Sequence, residues 1–222
     1  MDTKKRTAIV LGASGLTGRH LLERLVADDR YGEVRLFSRR NSGHSSPKIR
    51  EYIGDILHLE QFREDFRADV VFCCVGTTSS KTGDRNLYRA IDYGIPFHAA
   101  RLASENGIPA FLVISSIGAD PKSRVFYTRT KGEMEEAVLS LQIPHTYILR
   151  PSLILGDRKE RRWTEEAAAV IMKSARFLMT GRLRNYRPIE AATIASAMIH
   201  LDQARPDMKI IPSARIQEFG NG

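Results

Sequence analysis

Three groups of residues in this chain have the types and spacing that chemistry demands. The first is Gly12-Ala13-Ser14-Gly15-Leu16-Thr17-Gly18, a G-x-x-G-x-x-G run. It follows the apolar stretch Thr7 to Leu11 and precedes a segment with Leu21, Leu22, Leu25 and Val26 on one helical face. Such a junction uses glycine three times: for a tight turn, for backbone approach to a pyrophosphate, and for close packing of helix on strand. The helix N-terminus then offers unpaired N–H groups and a partial positive charge to the anion. A glycine motif alone is weak evidence, but its place at the first strand–helix junction makes it a phosphate cradle. Its lining residues are Gly12, Ser14, Gly15, Leu16, Thr17 and Gly18.

The second group is Ser38-Arg39-Arg40, at the end of the second apolar run. A site for NAD places an acidic residue here, about 20 residues past the glycines, to bind the ribose 2′-hydroxyl. This chain offers a hydroxyl and two guanidiniums, which suit the 2′-phosphate of NADP through parallel N–H···O bonds. The bland alternative is two surface arginines in a basic protein. By position, Asp55 after the third strand is expected near the adenine amino group. Val75, Gly76 and Thr77 after the fourth are expected along the other side of the cofactor. The cofactor expected is therefore NADP(H).

The third group is Tyr127-Thr128-Arg129-Thr130-Lys131, a phenol and an ammonium one helical turn apart and so on one face. A Tyr-x-x-x-Lys arises readily by chance. Here it opens the helix after the fifth strand, twelve residues beyond Ser115. Neighbouring strand positions face opposite ways, so Ser115 is favoured on spacing and Ser116 is the alternative.

These groups are set by alternating elements. Strands are expected at Thr7–Leu11, Val34–Phe37, Ile49–Ile53, Asp69–Val75, Ala110–Ser115 and His145–Leu149, with a short one at Lys209–Ile211. The runs are nearly continuously apolar, as in strands buried on both faces of a parallel sheet. One long helix is expected over Arg85–Glu105, ended by Asn106-Gly107. Met134, Ala137, Val138 and Leu141 mark another, as do Ala167, Val170, Ile171 and Ser174, and again Ile194, Ala197, Met198 and Leu201. The alternation implies an α/β, doubly wound parallel sheet of Rossmann type. Residues 1–222 form a single NAD(P)-binding domain on this reading, with 151–222 contributing a small substrate-side cap. Trp163, Phe177 and Tyr186 are candidate walls of that cap, or core.

Taken together, these motifs resemble the short-chain dehydrogenase/reductase superfamily, and more closely its compact atypical members similar to the Tat-interacting-protein-like oxidoreductases. The resemblance spans nearly the whole chain. Besides the runs above it is carried by Ser115-Ser116-Ile117-Gly118-Ala119-Asp120 and Leu149-Arg150-Pro151-Ser152. It implies that the serine and Tyr127 bind the substrate oxygen, that Tyr127 transfers the proton, and that Lys131 holds the ribose. Ser152 to Ile154 would then meet the nicotinamide amide. One departure stands out: the family's helix asparagine is replaced by Asp92.

Composition bounds the alternatives. The chain has 222 residues, 42% hydrophobic and 27% charged, which is enough for a large core without disulfides. Cys73 and Cys74 are adjacent in an apolar run and read as core thiols. Six histidines without ligand spacing argue against a metal site. The net charge of +8 invites a nucleic-acid reading, but the arginines are scattered and no binding signature accompanies them. No apolar stretch approaches a membrane span, and a cytoplasmic location is expected. The leading expectation is an NADP-dependent reductase or dehydrogenase acting on a small carbonyl or alcohol. An NADP(H)-binding redox regulator with little turnover is the alternative. A homodimer is compatible with exposed long helices.

Overall fold

A computed structural model of the protein describes residues 5–77, 83–156 and 181–222. Seven parallel strands form one sheet: β1 (Arg6–Leu11), β2 (Tyr31–Ser38), β3 (Ile49–Ile53), β4 (Val70–Cys73), β5 (Ala110–Ile114), β6 (His145–Arg150) and β9 (Ile210–Pro212). Their order is β3-β2-β1-β4-β5-β6-β9. A second, two-stranded parallel ribbon pairs β7 (Ile154–Leu155) with β8 (Ile189–Glu190). The helices are α1 (Leu16–Ala27), α2 (Arg85–Arg89), α3 (Ile95–Glu105), α4 (Phe126–Ser140), α5 (Ala191–Ala204) and α6 (Ser213–Asn221). The expected doubly wound α/β sheet is the fold observed.

The apolar runs fill both faces of the sheet. In β1, Ala8 and Val10 join a core with Leu21, Leu25, Met198 and Leu201 of α1 and α5, while Ile9 and Leu11 join one with Ala99, Leu102 and Val138 of α3 and α4. Period-two alternation divides each strand this way, which is why no polar face interrupts the pattern. At roughly 1.5–3 kcal/mol per buried large apolar side chain, these two layers hold the framework rigid behind the loops. The second is also the reason Cys73 is inert, because burial pushes its thiol up to about 11.

The segment after Pro151 reinforces this frame as well as extending it. β9 adds the last strand, and Ile194, Ala197, Met198 and Leu201 of α5 pack beside α1 as their spacing requires. A buried staple fixes the same layer: Asp202 of α5 accepts from Arg6 Nη1 and Nη2 and from Tyr31 O–H at 2.5 to 2.8 Å. The helical face at Ala167 to Ser174, together with Trp163 and Phe177, lies outside the described residues.

The long helix expected over Arg85–Glu105 has the expected ends but not the expected continuity. Asp84 caps it through Asn86 N–H at 2.7 Å, and Gly107 leaves it at φ +68°. Between α2 and α3, residues Ala90–Gly94 widen into a π-turn, in which Ile95 N–H donates to the Ala90 carbonyl five residues back. Pro96 explains this. It has no N–H to return to the Asp92 carbonyl, and its ring crowds that turn. The turn carries Asp92, and such turns recur at functional sites.

Candidate cofactor and active site

The strand order reverses direction between β1 and β4, so a crevice opens at their carboxyl ends, where open α/β sheets bind ligands. The glycine run forms its floor. Gly12 has φ +81°, and a Cβ there would stand 2.8 Å from the Cys74 carbonyl, so only glycine fits between the two strands. A Cβ at Gly18 would overlap the Gly12 carbonyl oxygen, which is how α1 reaches so close to β1. Gly15 N–H closes the turn on the Gly12 carbonyl at 2.9 Å. No side chain of the described residues caps α1, and its first turn holds no acidic residue. Ser14 is exposed at the turn, Thr17 is buried under it, and Leu16 lies against Gly156. This cradle accepts an anion by geometry and by dipole.

At the end of β2, Arg39 and Arg40 are exposed and neither forms an ion pair among the described residues. Ser38 Oγ donates to the Arg40 carbonyl at 2.6 Å and shapes that turn. Asp55 is less free than its position suggested. It caps the short helix at Ile56–Phe62, accepting from Leu57 N–H at 3.0 Å, and it meets His58 Nδ1 at 2.9 Å. The capping bond, then His58, hold its carboxyl below the usual range. Across the crevice, Val75 is buried and Gly76 lies against Asp92 and Lys131. Ile154, at the start of the β7–β8 ribbon, is partly buried and packs against the core on the α1 and α5 side of the sheet.

Lys131 and Tyr127 rise from the first turns of α4, one above the other. Lys131 is buried, with Nζ 2.8 Å from Asp92 Oδ1 and 3.5 Å from the Ile114 carbonyl at the end of β5. Asp92, wholly buried on the π-turn, also accepts from Thr77 N–H at 2.9 Å. One carboxylate thereby ties the β4 loop to the lysine of α4. Tyr127 is half-buried, its ring 6.1 Å from that of Tyr88. Tyr88 is buried, and burial, then the nearby Asp92, push its phenol upward.

The two serines separate. Ser115 Oγ donates to Glu135 Oε1 at 2.5 Å, toward α4, so the favoured serine already has a partner inside the protein. Ser116 is buried and its Oγ has no partner among the described residues. Strand alternation turned the hydroxyl favoured on spacing to the helix side. Glu135 in turn holds Arg150 Nε and Nη2 at 2.5 to 3.1 Å. Sequence reasoning missed this pair, because Glu135 on α4 and Arg150 at the end of β6 meet only through the packing of helix on sheet. Among the described residues there is no cluster of three or more side chains able to hold a metal ion. Nor is any helix among them long and apolar enough to cross a membrane.

Comparison with known proteins agrees with this architecture. The family described as NAD(P)H-binding matches residues 12–175. Protein FMP52-1, mitochondrial, of Scheffersomyces stipitis is 35% identical over 158 residues, 69% of each chain. Protein HTATIP2 of Rattus norvegicus is 32% identical over 163 residues, covering 72% of this chain and 67% of its own. The Bordetella bronchiseptica enzyme WbmG, solved in complex with NAD, superimposes with a TM-score of 0.71 at 11% identity over 95% of this chain and 73% of its own. The expected cytoplasmic location does not stand, because the FMP52 relatives from several yeasts are named mitochondrial. The absence of an apolar span had no power to decide between compartments. With the family match running through most of its length, this chain belongs to the NAD(P)H-binding family of Rossmann-type proteins, a nucleotide-binding, oxidoreductase-like relative of FMP52 and HTATIP2.

Proposed function

We propose that the protein is an NADP(H)-dependent oxidoreductase that interconverts a small carbonyl compound and its alcohol. The observation that carries this reading is the meeting of Lys131 with the β4 loop. The buried ammonium lies beside Gly76 and Asp92, on the wall of the crevice whose floor is the glycine turn. The phenol of Tyr127 stands one helical turn before it. The buried hydroxyl of Ser116, without a partner among the described residues, fits a site that a ligand or water completes, since buried polar groups are otherwise paired.

On this reading Gly12, Ser14, Gly15, Leu16, Thr17 and Gly18 hold the pyrophosphate. Arg39 and Arg40 pair with a 2′-phosphate, while Val75, Gly76 and Thr77 line the far wall. Asp55 and Ile154 act through their backbone neighbourhood, given the other partners of their side chains. The bound cofactor supplies hydride chemistry. The protein's part is to hold and protonate: Ser116 orients the substrate oxygen, Tyr127 gives or takes its proton, and Lys131 anchors the ribose. Ser115, bonded to Glu135, positions rather than catalyses. The alternative of an NADP(H)-binding regulator with little turnover draws on the same ion pair, because Asp92 offsets the charge of Lys131 near the phenol.

Fluorescence titration tests the cofactor reading. NADPH should bind at least about tenfold tighter than NADH, a difference of about 1.4 kcal/mol. Equal affinities would refute the assignment of the two arginines.

A further inference from the structure

A cavity of about 350 Å³ opens at the carboxyl ends of β5, β6 and β9, lined by Ile117, Gly118, Arg150, Asn185, Tyr186 and Ser213. It begins directly after Ser115-Ser116 and has the volume of a small-molecule pocket. Its polar groups are biased toward donors. Arg150 gives Nε and Nη2 to Glu135, which leaves Nη1 without a hydrogen-bond partner among the described residues. Asn185 Oδ1 accepts from Ala214 N–H at 3.1 Å, which leaves its Nδ2 amide as the free end. The Tyr186 hydroxyl is exposed at the rim.

The Arg150 guanidinium is also held in place. Glu135 is buried beneath it, and Ser115 donates into the same carboxylate. A forked cation fixed by a buried partner presents its remaining donor without losing rotamer freedom on binding. The carboxylates that face it are Glu135 and the more distant Asp120, whose Oδ1 is occupied by Lys122 N–H.

We propose that this cavity is the substrate pocket and that it selects a carbonyl compound or alcohol bearing an oxyanion group, a carboxylate or a phosphate. Arg150 and Asn185 receive the anion, and Ser115 and Glu135 position the arginine. The proposal rests on the oxidoreductase reading for the meaning of the pocket, but its binding test stands separately from cofactor binding.

The experiment is calorimetric titration of succinate and of inorganic phosphate into the protein saturated with NADPH, repeated with Asn185→Asp and Arg150→Lys. Asn185→Asp keeps an acceptor for Ala214 N–H while replacing the donor by a negative charge, and like charges oppose binding strongly. At least one of the two anions should bind, and each substitution should weaken it tenfold or more. The preferred anion identifies which oxyanion the substrate carries. NADPH affinity should be unchanged in Asn185→Asp. Binding of neither anion at millimolar concentration, or equal binding by Asn185→Asp, would overturn the pocket assignment. Loss of NADPH binding by the unmodified protein would instead overturn the cofactor reading.

Discussion

Lys131 Nζ stands 2.8 Å from Asp92 Oδ1 with both side chains buried, so the lysine expected to face a cofactor ribose already has a carboxylate partner. The same carboxylate accepts from Thr77 N–H, joining α4 to the wall of the crevice. Removing one member of a buried ion pair leaves an uncompensated charge. Asp92→Ala should therefore cost about 3–5 kcal/mol of stability in urea denaturation. Asp92→Asn, which keeps an acceptor for Thr77, should cost less. An alanine variant as stable as the parent would show that the pair does not hold these elements together.

The glycine turn gives a sharper steric test. A methyl group at Gly18 has no room beside the Gly12 carbonyl, and the obstacle is backbone rather than a flexible side chain. Gly18→Ala should destabilise by about 1–3 kcal/mol, the usual cost of forcing atoms into a packed site. It should also weaken NADPH binding. A thermal melt and a cofactor titration identical to the parent would contradict the close approach of α1 to β1.

Arg39 and Arg40 are exposed and neither forms an ion pair among the described residues, so their removal should leave the fold intact. Replacing both by alanine should erase most of the preference for NADPH while leaving NADH affinity nearly unchanged. Fluorescence titration with both nucleotides reads this directly. Retained preference in the double variant would place the 2′-phosphate elsewhere.

Alkaline pH should expose the staple at Tyr31. Burial, and then the neighbouring Asp202, hold its phenol protonated far above the usual value near 10. The unfolded chain releases that proton near pH 10 and the folded chain does not. Its contribution is therefore complete below about pH 10 and declines as pH rises, by at most about 1.4 kcal/mol per unit. Tyr31→Phe should lose about 1.5–3 kcal/mol at pH 7, the range for hydrogen bonds to charged groups. It should also flatten the decline between about pH 10 and 11. Denaturation curves at several pH values check both effects.

Much of this was legible because the governing physics is local. Short apolar runs such as Thr7–Leu11 and Asp69–Val75, alternating with helical patterns, read as strands buried on both faces of a parallel sheet, and the structure pairs them so. The glycines at 12, 15 and 18 announce the close approaches that the structure requires. The rest depends on side-chain direction and on partners distant in sequence. Strand alternation sent the Ser115 hydroxyl to Glu135, and capping engaged the Asp55 carboxylate. The helix over Arg85–Glu105 was expected to be continuous, so neither the π-turn before Pro96 nor the direction of Asp92 from it toward Lys131 was anticipated.

On the proposed function, Tyr127 exchanges the proton in an NADP(H)-dependent reaction. It is tested most directly by following NADPH oxidation at 340 nm, with a panel of small carbonyl compounds that includes 2-oxo acids, for the parent and for Tyr127→Phe. The parent should oxidise NADPH with at least one of them, and Tyr127→Phe should do so about a hundredfold more slowly or worse, as expected on losing a general acid–base group. Cofactor affinity should barely change. A Tyr127→Phe protein that turns over at the parent's rate would contradict the account.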